Sequence, residues 1–207
     1  MKFIGIVGTN AVKSTNRQLL QFMQKQFSQR AEIEICEIKG LPAFNQPEDR
    51  VAPEKIKTLS DKIEAADGVI IATPEYDHTV PAPLKSVLEW LSYTSRPFID
   101  KPVMIVGASY GALGSSRAQA HLRQILDAPE LKARVMPSEE FLLGHSLQAF
   151  DDNGNLVYED KVTELEECFD QFLLFVDITN QLVKDHRFQA NQNKKFTWEK
   201  ATEGGND

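Results

Sequence analysis

Three short stretches hold the residue types that could do chemistry. The first is Gly8-Thr9-Asn10-Ala11-Val12-Lys13-Ser14-Thr15-Asn16, dense in hydroxyls and amides. An apolar run precedes it and residues at helical spacing follow. A helix N-terminus offers N–H groups without partners and the positive end of a dipole, so it can hold a phosphate. Thr9, Ser14, Thr15 and Asn16 could add hydrogen bonds, and Lys13 could add charge. The same residue types cap helices with no ligand at all, so the stretch supports phosphate binding and plain capping about equally. It is not a P-loop, because Val12 stands where Gly must precede Lys-Ser, and the dinucleotide pattern G-x-G-x-x-G is absent.

The second stretch is Thr73-Pro74-Glu75-Tyr76-Asp77-His78-Thr79-Val80-Pro81-Ala82-Pro83-Leu84-Lys85. Its three prolines stiffen it. Tyr76 offers a flat apolar face, and N–H groups nearby could bond the rim of a heteroaromatic ring. A rigid turn that opens a helix, with Pro83 in the first turn, accounts for the same residues. His78 alone is more often a solvated side chain than a base. The third stretch, Ala108-Ser109-Tyr110-Gly111-Ala112-Leu113-Gly114, has two glycines that allow positive φ or close approach of the backbone to a flat ligand.

The elements that must position these stretches are legible in the hydrophobic pattern. Phe3–Val7, Val69–Ala72 and Val103–Ala108 are short apolar runs, the pattern of strands buried on both faces. Glu32–Ile38 alternates as a half-exposed strand does. Arg134–Met136, extended toward Phe141–Leu143, is a weaker fifth. Apolar residues at helical spacing lie between them: Leu19, Leu20, Met23 and Phe27; Ile56, Leu59 and Ile63; Leu84, Val87, Leu88 and Leu91; Ala118, Leu122, Ile125 and Leu126; and finally Leu165, Phe169, Phe172, Leu173 and Val176. Strands and helices alternating five times predict an α/β fold with a parallel sheet covered on both faces. The second strand carries three glutamates and the fifth carries Arg134, so both belong at edges. The order 2-1-3-4-5 of a flavodoxin-like three-layer sandwich puts them there. A Rossmann order would want an apolar second strand and a sixth strand.

Residues 1–183 read as one domain. Lys184–Asp207 reads as a polar, mobile tail in which Phe196 and Trp198 could dock. The chain has 207 residues, 42% hydrophobic and 26% charged, enough for one substantial core. Lys and Arg number 23 and Asp and Glu 30, a net charge of −7, which argues against a nucleic-acid binder. No run approaches a membrane span, and the Met1–Gly8 start is too short for a signal peptide. Cys36 and Cys168 lie far apart, which argues against a disulfide framework or a cysteine metal site and suits a reducing cytoplasm.

In such a sheet, ligands bind beyond the carboxyl ends of the strands, near the switch point between the first and third. All three stretches converge there. A phosphate cradle, a rigid aromatic loop and a glycine loop lining one crevice suit a flat ligand with a phosphate tail, and FMN is the natural candidate.

The chain also resembles a known family, the NAD(P)H-dependent FMN reductases, the flavodoxin-like group that includes quinone, azo-dye and chromate reductases. The resemblance covers roughly residues 1–180. Its most specific part is Thr73-Pro74-Glu75-Tyr76, then Pro81, Leu84-Lys85 and Glu89-Trp90. The family pattern there is T-P-E-Y-N-x-S-x-P-x-x-L-K, followed by an acidic residue and Trp. Gly8, Thr9, Ser14 and Asn16 match its phosphate loop, and Ser109, Gly111 and Gly114 match its glycine turn. Arg117, Leu122 and Arg123 continue the stretch that commonly follows.

The resemblance implies FMN as cofactor, held by Thr9, Lys13, Ser14, Thr15, Asn16, Pro74, Glu75, Tyr76, Asp77, Ser109, Tyr110, Gly111 and Gly114. It implies hydride transfer from NADH or NADPH to the flavin, then to a quinone, flavin, azo compound or metal oxyanion. The flavin does the chemistry, so no catalytic side chain is nominated. It further implies a homodimer or homotetramer with the flavin near the interface, with Trp90, Leu91 and Tyr93 as candidate contacts. Two rivals are a flavodoxin-like electron carrier and an interaction protein without cofactor. Three departures stand out. Ala11 replaces a phosphate-binding Arg, leaving Lys13 or Arg17 to supply charge. Asp77 replaces Asn and puts an anion near the flavin, which implies a low redox potential. Tyr110 and Leu113 sit among the turn glycines and could narrow the pocket.

Overall fold

The computed structural model describes residues 1–184. The elements are β1 (Lys2–Val7), α1 (Thr15–Gln26), β2 (Glu32–Glu37), α2 (Glu54–Ala65), β3 (Gly68–Ala72), α3 (Ala82–Thr94), β4 (Pro102–Ala108), α4 (Ser116–Asp127), β5 (Arg134–Val135), β6 (Phe141–Leu143) and α5 (Glu159–Lys184). A short 3₁₀ turn, Ser146–Gln148, follows β6. Apart from Lys184, which ends α5, the polar tail with Phe196 and Trp198 lies outside the described residues.

The sheet is parallel in the order β2-β1-β3-β4-β5, with β6 also paired to β4. Side chains alternate between its two faces. Phe3, Ile70 and Met104 face α1 and α5, where Leu20, Met23, Phe169 and Phe172 meet them. Ile4, Ile6, Ile71 and Ile105 face α2, α3 and α4, where Ile56, Leu59, Leu88 and Leu122 cover them. Strands β3 and β4 are buried along their whole length, whereas both ends of β2 are exposed. Glu34, at the β2 edge, is held by Lys2 and Lys62.

The expected fifth strand is two strands, so the sheet has six strands and not five. β5 pairs with the start of β4 and β6 with its end. Between them Pro137 has no N–H to give the ladder and Ser138 has φ 64°. One edge strand is thereby interrupted for five residues and resumes at Phe141.

Trp90 and Leu91 are not surface contacts. Both are buried, and Trp90 Nε1 donates to Pro42 O at 3.0 Å. Tyr93 packs edge-on against Phe44, and its hydroxyl donates to Pro47 O. The loop between β2 and α2 covers this part of α3. Among the described residues no helix is long and apolar enough to cross a membrane.

Candidate active site

Each of the three loops is built by local rules. Gly8 ends β1 because the chain passes close to β3: a Cβ there would meet Ala72 O at 2.6 Å. Ser14 then starts α1 as its N-cap, with extended backbone and Oγ accepting from Arg17 N at 3.3 Å. The backbone N–H groups of Lys13, Ser14, Thr15 and Asn16 find no partner among the described residues. Such a set of donors at the start of a twelve-residue helix could hold an anion.

In the second loop Tyr76 and Thr79 exchange two backbone hydrogen bonds, each 3.0 Å. Asp77 and His78 between them have φ 49° and 63°, the left-handed pair of a tight hairpin turn, where Asp and Asn are tolerated best. Glu75 reaches across to α4. Its Oε2 accepts from Arg117 N at 3.0 Å and Ala118 N at 3.4 Å, and its Oε1 accepts from Arg117 Nη1 at 3.1 Å. Ser115, the residue before α4, is left-handed and its side chain does not cap. The carboxylate of Glu75 does that work from another loop, at the positive end of the helix.

The third loop is held from below. Ser109 N donates to Leu143 O, His145 N to Gly111 O and Ser146 N to Ser109 O. Thr15 and Ser146 bond through their hydroxyls at 2.9 Å, so the segment after β6 joins the α1 end of the crevice to the glycine loop. Gly114 has φ 55°, and a Cβ there would strike Leu142 at 2.5 Å, so only glycine suits the turn. Gln119, fully buried under this loop, donates through Nε2 to Gly114 O and Phe141 O, while its Oε1 has no partner among the described residues.

These loops enclose one crevice of about 510 Å³ beyond the ends of β1, β3 and β4, a volume usual for a small-molecule site. Lys13, Ser14, Thr15, Asn16, Pro74, Glu75, Tyr76, Ser109, Tyr110 and Gly111 all line it. Tyr76, Tyr110 and Leu113 are exposed at its mouth. A Cβ on Gly111 would meet nothing within 4 Å, so open space lies above that backbone.

Three expected residues lie elsewhere. Thr9 is buried, and its hydroxyl serves the loop itself by accepting from Ala11 N and bonding the Tyr76 hydroxyl at 3.2 Å. Gly114 shapes the turn beneath the lining. Asp77 sits at the hairpin tip and lines a neighbouring recess with His121 and Lys85, so its anion does not face the crevice. Asn16 lines the crevice, but its side-chain amide bonds the Ala108 backbone through both its nitrogen and its oxygen. Arg17 is likewise unavailable, because Glu37 and two carbonyls occupy its guanidinium. Lys13 is the cation at this end with no acidic partner among the described residues.

The sequence reading missed Ser146, Gln119 and the His145 backbone, and it did not assign Arg117 to the crevice. A polar Gln beside Ala118 on the buried stripe of α4 was the one available signal.

Comparison with known proteins agrees with this geometry. Residues 1–148 match the family described as NADPH-dependent FMN reductase. A protein of Vibrio ruber described as NADH:(hydroxy)cinnamate reductase subunit CrdA is 58% identical over 96% of this chain and 98% of its own length. NADH-dependent flavin reductase subunit 2 of Lactobacillus johnsonii is 43% identical over 86% of this chain and 98% of its own. Among solved structures, FerB from Paracoccus denitrificans, a flavoenzyme NAD(P)H:(acceptor) oxidoreductase, superposes with a TM-score of 0.77 at 27% identity. That match covers 86% of this chain and 98% of FerB.

Proposed function

Because the chain belongs to the NADPH-dependent FMN reductase family, we propose that its crevice binds FMN with the phosphate at the start of α1 and the ring between Tyr76 and the Ser109–Gly111 backbone. The enzyme is an NAD(P)H-dependent flavin oxidoreductase with FMN as cofactor. When bound, FMN supplies the two-electron redox chemistry that links the pyridine nucleotide to an acceptor.

The chain's own residues bind, orient and shield. The four N–H groups from Lys13 to Asn16, with the Lys13 ammonium, offer the donors and charge that a phosphate dianion needs. That unpaired cradle is the observation that carries the reading. Ser109 and Gly111 offer backbone without bulk on one side of the ring. Tyr76, fixed by the Thr9 hydroxyl and the hairpin, borders the other. Glu75 locks that hairpin to α4 and so sets the width of the crevice. Tyr110 and Leu113 at the mouth limit what can stack on the ring, which favours flat aromatic acceptors such as quinones and free flavins. NADH is the preferred donor in this reading, since both relatives described above carry NADH in their descriptions.

The test is the protein as purified. It should show a flavin absorption band, or gain one on adding FMN, and the band should bleach anaerobically on adding NADH. A protein that binds FMN but is not bleached by either nucleotide is an electron carrier. A protein that takes up no FMN is neither.

A second reading concerns assembly. Both relatives are described as subunits, and the exposed apolar residues Val12, Tyr76, Tyr110 and Leu113 cluster on the loops of the crevice. In this reading the chain is the flavin-reducing subunit of a larger reductase and not only a homodimer or homotetramer. Light scattering of the purified chain, alone and with a companion expressed beside it, separates the two.

A further inference from the structure

The phosphate loop is held from behind by one side chain. Arg17, in the first turn of α1, forks onto Glu37 at the end of β2, with Nε on Oε1 and Nη2 on Oε2, the latter at 2.8 Å. The other edge of the guanidinium faces the loop. Nη1 donates to Val12 O at 2.9 Å, and Nη2 donates to Ala11 O at 3.1 Å. The planar fork of arginine can hold one carboxylate and two carbonyls at once, which an ammonium cannot do.

Those two carbonyls matter because of what shares their peptide planes. In a planar trans peptide the C=O of one residue and the N–H of the next point in opposite directions. Drawing the Ala11 and Val12 carbonyls toward Arg17 therefore turns the Val12 and Lys13 N–H groups away from it. Lys13 lines the crevice, and its N–H belongs to the unpaired cradle described above. Glu37 fixes the guanidinium in this place and cancels its charge. The arrangement aims donors and adds no net charge of its own.

We propose that Arg17 and Glu37 are a positioning pair that presets the Val12 and Lys13 N–H groups for the FMN phosphate without touching it. This rests on the crevice being the FMN site. It also accounts for Ala11 in place of the family's phosphate-binding Arg: the loop is shaped from outside and its charge comes from Lys13.

Fluorescence titration of FMN and riboflavin against the parent protein, Arg17→Gln, Arg17→Lys and Glu37→Gln tests it. Riboflavin has the ring and no phosphate. All three variants should bind FMN about five- to tenfold more weakly, the range expected for disturbing one or two charge-assisted bonds. Riboflavin affinity should stay within about twofold of the parent. Glu37→Gln carries the sign. If Arg17 were a phosphate ligand restrained by Glu37, freeing it would tighten FMN binding, and that result overturns the proposal. Parent-like FMN binding by Arg17→Lys overturns it too, since charge and not the fork would then be what counts. Equal losses of FMN and riboflavin would show a merely structural pair. A parent protein that binds neither flavin overturns the site reading and this inference with it, and is distinguishable from the other outcomes.

Discussion

Asn16 and Ala108 are joined through both ends of one amide. Asn16 Nδ2 donates to Ala108 O at 2.8 Å, and Ala108 N donates to Asn16 Oδ1 at 2.9 Å. Both residues are buried. The pair ties the start of α1, where a phosphate would sit, to the end of β4, where the ring would lie. The Asn16 side chain is therefore a strut between the two halves of the crevice, while its backbone N–H stays with the donors at the start of α1.

Asn16→Ala leaves a buried N–H and a buried C=O without partners, each costing about 1–3 kcal/mol. Denaturant unfolding should show a loss of that order, and FMN and riboflavin should both bind more weakly. Unchanged stability with a loss confined to FMN would make Asn16 a phosphate ligand instead.

Glu75 is nearly buried and caps α4 from another loop. Glu75→Ala removes three bonds to an ionised acceptor at a helix N-terminus and should destabilise the fold by about 1–3 kcal/mol. Glu75→Gln keeps one acceptor oxygen and should lose less than half as much. Equal stability of the parent and Glu75→Ala would show that the cap carries no weight.

Tyr110 is 59% exposed at the mouth of the crevice. Replacing it with Gly should leave FMN affinity nearly unchanged and should speed reduction of bulky quinones more than of small ones. Identical ratios across small and bulky acceptors would remove Tyr110 as a gate.

Cys168 is buried beside Glu139, and desolvation together with that carboxylate pushes its thiol up to about 12. The sign follows from linkage. The unfolded thiol ionises near 9.0 and the folded one does not, so the stabilising bias toward the thiol is intact below 9.0 and is lost as pH rises toward about 12. Native protein should resist thiol reagents at pH 8, and Cys168→Ala should show a shallower fall of stability across that alkaline window. Rapid native-state labelling of Cys168 would contradict its burial.

Much of this was legible in the sequence because periodicity reports burial. The runs in β1, β3 and β4 are apolar on both faces, and connectivity then forces the three loops to one end of the sheet. Side-chain assignments were less legible. Asn16 is engaged by a backbone 92 residues away, and Arg17 by Glu37 on a strand that only the fold brings alongside. Nothing in local spacing distinguishes a hydroxyl that faces a ligand from one, like Thr9, that bonds its own loop. Trp90 could look like an interface residue because the loop that covers it carries no periodic signal. The break between β5 and β6 turns on Pro137 and a single left-handed serine, below the resolution of any pattern.

The measurement closest to the central claim is a flavin titration of Ser14→Asp, which places a carboxylate at the mouth of the anion cradle. Asp is itself a good N-cap, so the fold should survive. A carboxylate there both repels a phosphate dianion and takes up the helix N–H groups. FMN should bind at least about a hundredfold more weakly than to the parent, Ser14→Ala should lose about tenfold, and riboflavin should change little with either. If Ser14→Asp binds FMN as tightly as the parent does, the start of α1 is only a cap and the crevice does not hold FMN by its phosphate.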